Sequence, residues 1–283
     1  MSFKIVTDST VHLTDNEIAE NDVSIIPLST ILNGEVRKDG TEKEKAQFLA
    51  DMKSSEELPK SSQPPVGLFL DKYNELTADG SEVLSIHVTH TLSGTVDAAK
   101  QAAALADGKV TVIDSQYIAR AMAFQILEAA RCAKEGLSIE DTLLRLEEVK
   151  KRTTLYIAIV DLTNMIKGGR IGKTLGAVSQ LLNLKVNLEM VEGALKADAK
   201  GRGTKKIIKR YEKIIAELKE AKKEIIEIGV THDGMSAYSF QLVELLKQAF
   251  PQARLEIAHA NGSVMTHAGP DAVSIQFLEK KVN

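Results

Sequence analysis

Short apolar runs alternate with helical patterns through the first half of this chain, and that alternation restricts the fold more than any other feature. Residues 3–7, 23–28, 83–88, 110–113 and 155–160 have the length and composition of buried strands. Between them lie helical patterns at 98–106, at 118–134 (closed by Gly136) and at 139–152. Ser138 opens the last of these as N-cap, with Asp141 three residues on. Strands without a polar face, separated by helices, predict a parallel sheet covered on both sides. This α/β fold, a parallel α/β/α sheet domain, is assigned to residues 1–158.

The second half has a different grammar. Residues 163–170 read as a Gly-rich basic loop, and 171–184 carry apolar residues at helical spacing. Two strand-like runs, 186–191 and 195–198, flank Glu192-Gly193, a hairpin turn signal. A long basic helix over about 203–223 follows, then strands at 225–231, 255–260 and 273–278. A hairpin plus helix-separated strands predicts a smaller α/β domain with a mixed sheet over residues 159–283.

Composition excludes several classes. The chain has 283 residues, 43% apolar but only 4% aromatic, with no Trp, so its cores are aliphatic. A single cysteine, Cys132, excludes an intrachain disulfide and a cysteine metal cluster; in its helical context it reads as a buried bystander. The N-terminus runs directly into a strand pattern, and no apolar run approaches the roughly 18 residues of a membrane span. A cytoplasmic protein is expected, with at most transient membrane contact. Net charge is −3, yet residues 162–213 hold 12 Lys and Arg against 4 Asp and Glu. With so few aromatics and a pI near 6.1, nucleic-acid binding is not expected. A solvated helix face accounts for many such runs; a docking surface for an acidic or phosphate-bearing partner is the sharper reading.

The chemistry concentrates at Ser85-Ile-His-Val-Thr-His-Thr-Leu-Ser-Gly-Thr-Val96. An apolar run ends in Ser93-Gly94-Thr95 and an alanine-rich helix starts at once. Such a junction points hydroxyls and backbone N–H groups along the positive end of a helix dipole, which suits a carboxylate or a phosphate. Lys60-Ser-Ser-Gln-Pro-Pro65 presents adjacent hydroxyls on a stiff turn, and His267 precedes Gly269-Pro270 in an irregular loop. His87 and His90 read as structural. No Gly-x-Ser-x-Gly elbow, His-Glu-x-x-His or Cys-x-x-Cys motif occurs, and Gly168-Gly-Arg-Ile-Gly-Lys-Thr174 lacks the spacing of a phosphate loop. Asp8, Asp114 and Asp233 follow strands, where either functional acids or loop staples are found. No metal site, no cofactor and no activated nucleophile is expected.

Six motifs, in this order and spacing, carry a resemblance: Val6-Thr-Asp-Ser-Thr10, Ser61-Ser-Gln-Pro64, Leu92-Ser-Gly-Thr95, Val112-Ile-Asp-Ser115, Lys167-Gly-Gly-Arg-Ile171 and His267-Ala-Gly-Pro270. Together they resemble the DegV family of bacterial fatty-acid-binding proteins, the FakB-type subunits of fatty acid kinase. The resemblance implies one long-chain fatty acid held between or within the two domains and presented to an ATP-dependent kinase partner. The partner forms an acyl phosphate for phospholipid synthesis, so this chain is expected to be a lipid-binding subunit and not an enzyme. It implies carboxylate contacts from Ser61, Ser62, Ser93, Gly94, Thr95 and His267, with Arg170, Arg202, Lys205 and Lys206 docking the partner or steadying the phosphate. Burying a chain of about 16 carbons would contribute roughly 10 kcal/mol gross. A phosphotransferase or hydrolase acting on a small anion is the alternative.

Three positions depart from the family pattern. Pro65 stands where Ser is frequent, Val96 where Tyr or Phe is common, and Asp271 where Gly usually follows Gly-Pro. Val96 is expected to widen the pocket or alter chain preference. Asp271 is expected either to raise the pKa of His267 or to repel a carboxylate.

Overall fold

The computed structural model describes residues 2–170 and 184–281. In chain order the strands are β1 (Phe3–Asp8), β2 (Val23–Ile26), β3 (Ser29–Leu32), β4 (Glu35–Lys38), β5 (Lys60–Ser62), β6 (Glu82–His87), β7 (Val110–Asp114), β8 (Thr153–Ile159), β9 (Lys185–Val191), β10 (Ala194–Gly201), β11 (Ile225–His232), β12 (Arg254–His259) and β13 (Val273–Glu279). The helices are α1 (Asp15–Asn21), α2 (Glu42–Ser54), α3 (Val66–Thr77), α4 (Thr95–Ala103), α5 (Ala119–Glu135), α6 (Ile139–Lys151), α7 (Thr163–Lys167), α8 (Thr204–Glu220), α9 (Ala237–Ala249) and α10 (Gly262–Ala268). The helix expected at 171–184 lies outside the described residues, apart from Leu184.

Two compact units divide the chain. The first comprises Met1–Ser29, Ser61–Lys151 and Glu192–Ala194. Its sheet has the order β2-β1-β6-β7 and is wholly parallel, with Ile5 opposite Val23 and His87 opposite Asp114. Phe69 and Tyr73 of α3 and Ala98, Ala99 and Ala102 of α4 pack on Val6, Ile26 and Val83. The alanines let α4 approach closely, and the apolar strands are covered without a polar face, as a parallel sheet requires. Helix α5 also packs on β1. Its Arg120, fully buried, donates to both carboxylate oxygens of Glu17 at 2.6 and 2.7 Å and to His12 O at 3.1 Å.

The second unit comprises Thr30–Lys60, Arg152–Val191 and Leu195–Asn283. Its mixed sheet has the order β10-β9-β8-β13-β11-β12; β11 and β12 run parallel, while β13 is antiparallel to both β11 and β8. Ile207, Ile208, Tyr211, Ile214 and Ile215 of α8 pack with Leu242, Val243 and Leu246 of α9 on Val230, Ile275 and Phe277. That spacing lays one apolar stripe on the sheet and leaves the lysines of α8 outside. Strands β4, β3 and β5 form a separate three-stranded sheet in that order.

The units depart from the expected division at 158/159 in two respects. Strand β8, expected to close the parallel domain, instead pairs antiparallel with β9 and β13. Residues 30–60 group with the second unit, beside its six-stranded mixed sheet. A strand buried on both faces reads alike in parallel and antiparallel surroundings, so the 155–160 run carried no sign of its partners. The expected hairpin is present: Glu192 and Gly193, at φ 51 and 77, form the left-handed turn between β9 and β10.

Candidate ligand-binding site

Strand β6 delivers its C-terminal loop onto the start of α4. Thr89 O accepts the N–H groups of Leu92 and Ser93 at 3.1 and 3.3 Å, and Gly94 O starts the helix by accepting from Asp97 and Ala98. Ser93 Oγ receives Thr95 N–H at 3.3 Å and lies 2.8 Å from Thr95 Oγ1. The two hydroxyls and the first turn of α4 thus converge, as an oxyanion site at a helix start requires. Thr89 and Thr91 both donate their hydroxyls to Gly193 O. Asp114 ties down the same loop, accepting from His90 N at 3.1 Å and from Gln116 N at 2.7 Å, and pairing with His90 Nδ1 at 2.6 Å. It is a loop staple.

Ser61 and Ser62 end β5, Ser61 half-buried and Ser62 exposed. The next residue makes the connection. A β-carbon placed on Gly94 would overlap Gln63 Oε1 and come within 3.1 Å of Gln63 Cδ. The carboxamide of Gln63 therefore lies over Gly94, and only glycine leaves it room. Ser62 Oγ donates to Gln63 O at 3.2 Å. Two motifs separated by about thirty residues in sequence thus meet where Gln63 covers Gly94. Gln63 was absent from the sequence-based set of contacts, although it stands inside a motif that supplied two of them.

A second arrangement lies beneath this loop. Ser85 Oγ is 2.7 Å from His87 Nε2, and His87 Nδ1 is 3.0 Å from Asp8 Oδ2. Tyr73 OH adds 2.8 Å to Ser85 Oγ, Val88 N donates to Asp8 Oδ2 at 2.9 Å, and Thr10 Oγ1 donates to Asp8 Oδ1 at 2.6 Å. The order hydroxyl, imidazole, carboxylate is that of a hydrolase triad. All four side chains are 0% exposed, so no substrate reaches Ser85. Asp8 is strongly desolvated, which alone would raise its pKa, but hydrogen bonds and the charge of His87 outweigh burial and hold it below the usual range. His87 is structural, as expected; its partner Asp8 was not legible because it lies 79 residues away.

In the second unit, the Lys167-Gly-Gly-Arg170 and His267-Ala-Gly-Pro270 segments come together. A β-carbon on Gly168 would stand 2.5 Å from His267 Nδ1, so the imidazole rests on bare backbone. Arg170, half-buried, donates its Nη1 to Gly168 O at 2.6 Å. Burial, and secondly the positive charge of Arg170, push His267 down to about 4. At neutral pH it is an uncharged imidazole. The expectation that Asp271 would raise this pKa is therefore corrected. The Asp271 carboxylate instead pairs with Lys53 Nζ at 3.1 Å. Asp271 also acts on Asp233, which is 2% exposed and whose Oδ2 has no hydrogen-bond partner. Burial, and secondly the charge of Asp271, raise Asp233 well above the carboxylate range.

Arg202, Lys205 and Lys206 are exposed at the start of α8. Arg170 does not share their setting: it is folded against the backbone beside His267. Among the described residues, no group of three or more His, Cys, Asp or Glu is arranged to hold a metal ion. No described helix is long and apolar enough to cross a membrane.

Fold and site together define an α/β protein with a hydroxyl-lined loop at a strand–helix junction. The chain belongs to the DegV family, whose profile ("Uncharacterised protein, DegV family") matches residues 2–280. A DegV domain-containing protein of Streptococcus pneumoniae is 40% identical over 272 residues, covering 96% of each chain. The solved structure described as "Fatty Acid Binding of a DegV family Protein from Thermus thermophilus" is similar with a TM-score of 0.88 and 28% identity, covering 99% of this chain and 100% of that one. The same values hold for a structure from Bacillus subtilis described as "DegV, a fatty acid binding protein".

Proposed function

We propose that this protein binds a long-chain fatty acid by its carboxylate and presents it to an ATP-dependent kinase that forms the acyl phosphate. The observation that carries the reading is the cradle of Ser93, Gly94 and Thr95 under Gln63, in a chain with fatty-acid-binding structural relatives. Ser61, Ser62, Ser93 and Thr95 supply hydroxyls and Gly94 allows close backbone approach; His267, which the family resemblance assigns to the head group, is a neutral imidazole. A buried carboxylate stays ionised only when several donors meet it, and the hydroxyls and backbone N–H groups of this junction are donors of that kind. Catalysis belongs to the partner. The one Ser–His–Asp chain among the described residues is sealed, which disfavours the hydrolase alternative.

The partner would dock on the basic start of α8. Lys205 and Lys206 stand in its first turn, with Lys209 and Lys213 exposed beyond and no acidic residue in that turn. Cations at the positive end of a helix dipole cost stability, so an acidic or phosphate-bearing surface is the complement that relieves them. Native mass spectrometry of the purified protein, with organic extraction, tests the central claim. A long-chain acid at one per chain is expected. Its absence, together with no uptake of added palmitate or oleate, would overturn the reading.

A further inference from the structure

The loops at 167–170 and 267–270 are tied together by a side chain that belongs to neither. Asn164, buried in α7, donates Nδ2 to Thr266 O at 3.0 Å. Its backbone carbonyl accepts Gly168 N–H at 2.8 Å. A β-carbon on Gly269 would come within 3.2 Å of Asn164 Oδ1, and Gly269 sits at φ +81, so glycine at 269 makes room for the carboxamide. His267 lies in sequence between Thr266 and Gly269, and its ring rests on Gly168. Both sides of the imidazole slot therefore refer back to Asn164.

We propose that Asn164 is the positioning residue that sets where the His267 imidazole stands. Its effect on lipid binding rests on the head-group reading above; the placement itself does not. The chemistry selects asparagine. A short carboxamide spans to Thr266 O with an N–H and offers only a flat carbonyl toward Gly269. Aspartate keeps the shape but has no N–H to donate, and alanine keeps neither. Arg170 is the charged group facing His267, so a displaced ring leaves burial and that charge together.

Imidazole NMR titration of the ligand-free protein reads the placement directly. In the wild type, His267 is expected to titrate near 4; in Asn164→Ala and in the uncharged Asn164→Leu it should move toward its ordinary 6.5. Oleate affinity should fall on the order of fivefold to tenfold in Asn164→Ala, the worth of about one hydrogen bond. Asn164→Leu, close in size and uncharged, serves where the alanine variant does not fold. A wild-type titration of His267 in either folded variant would overturn the proposal, whatever happens to lipid binding. A shifted titration in Asn164→Ala, with oleate affinity untouched in His267→Ala, would instead overturn the head-group role and leave the positioning role standing.

Discussion

Gln63 lays its carboxamide over the backbone of Gly94, filling the space a side chain at 94 would take. The backbone at 94 is unstrained, with φ −76, so glycine is required for what lies above it and not for its conformation. Gly94→Ala should therefore move Gln63, a flexible surface side chain, at a cost to stability below about 1 kcal/mol. Fatty-acid affinity should fall nonetheless. Thermal unfolding and a binding titration separate the two, and an unchanged affinity would remove the 63–94 contact from the site.

Ser93→Ala removes the hydroxyl that caps Thr95 N–H and, in the proposed function, donates to the carboxylate. A hydrogen bond to a charged group contributes about 1.5–3 kcal/mol, so the dissociation constant should rise on the order of tenfold to a hundredfold. Competition with a fluorescent fatty acid measures this. A dissociation constant equal to that of the wild type would take Ser93 out of the cradle.

Asp233 and two partly desolvated histidines give opposite pH slopes. The folded pKa of Asp233 is raised, so the native state keeps a proton that the unfolded chain releases, and stability drops as pH climbs above about 4. His267 and His232 are each lowered to about 4 by burial, so stability drops as pH falls from 6.5 toward 4. Asp233→Asn should raise the urea midpoint at pH 8, and the gain should shrink toward pH 4. A gain that is the same at both pH values would contradict this assignment.

Breaking the Arg120–Glu17 pair leaves a buried charge alone. Arg120→Ala should cost about 3–5 kcal/mol, while Arg120→Met combined with Glu17→Leu should recover most of the loss. Denaturant unfolding of the single and double variants decides it; a double variant no better than the single would mean the pair matters through its other bonds, such as that to His12 O.

Charge reversal at Lys205 and Lys206 should leave fatty-acid binding intact, because both side chains are exposed on α8. If the proposed function holds, transfer of phosphate from ATP to a bound fatty acid, assayed with a fatty acid kinase present, should fall at least tenfold and become less sensitive to salt. Full activity in the double Glu variant would place the docking surface elsewhere.

Legibility in the sequence followed the range of the interactions. Strands β1, β6 and β7 and helices α5 and α6 announce themselves through local pattern and caps: Ser138 receives Asp141 N–H at 3.0 Å, as its spacing predicts. Residues 30–60 did not, because Glu35-Val-Arg-Lys38 is a short charged strand with no apolar face and α2 is largely polar. Ser61 and Ser93 were visible as loop hydroxyls, but the bridge between their motifs runs through Gln63, whose role depends on what Gly94 lacks. Asn164 gave no signal at all: its meaning comes from Thr266, 102 residues away.

The sealed chain from Tyr73 through Ser85 and His87 to Asp8 has a consequence for the loop above it. Val88 N–H is held by Asp8, Thr89 by Tyr117 O and by Gly193, and Ser93 by Thr89. The loop is thus braced from its first residue before any ligand arrives. Ordering a floppy loop would subtract from affinity; a preorganised one would, in the proposed function, leave the burial of an acyl chain free to set it.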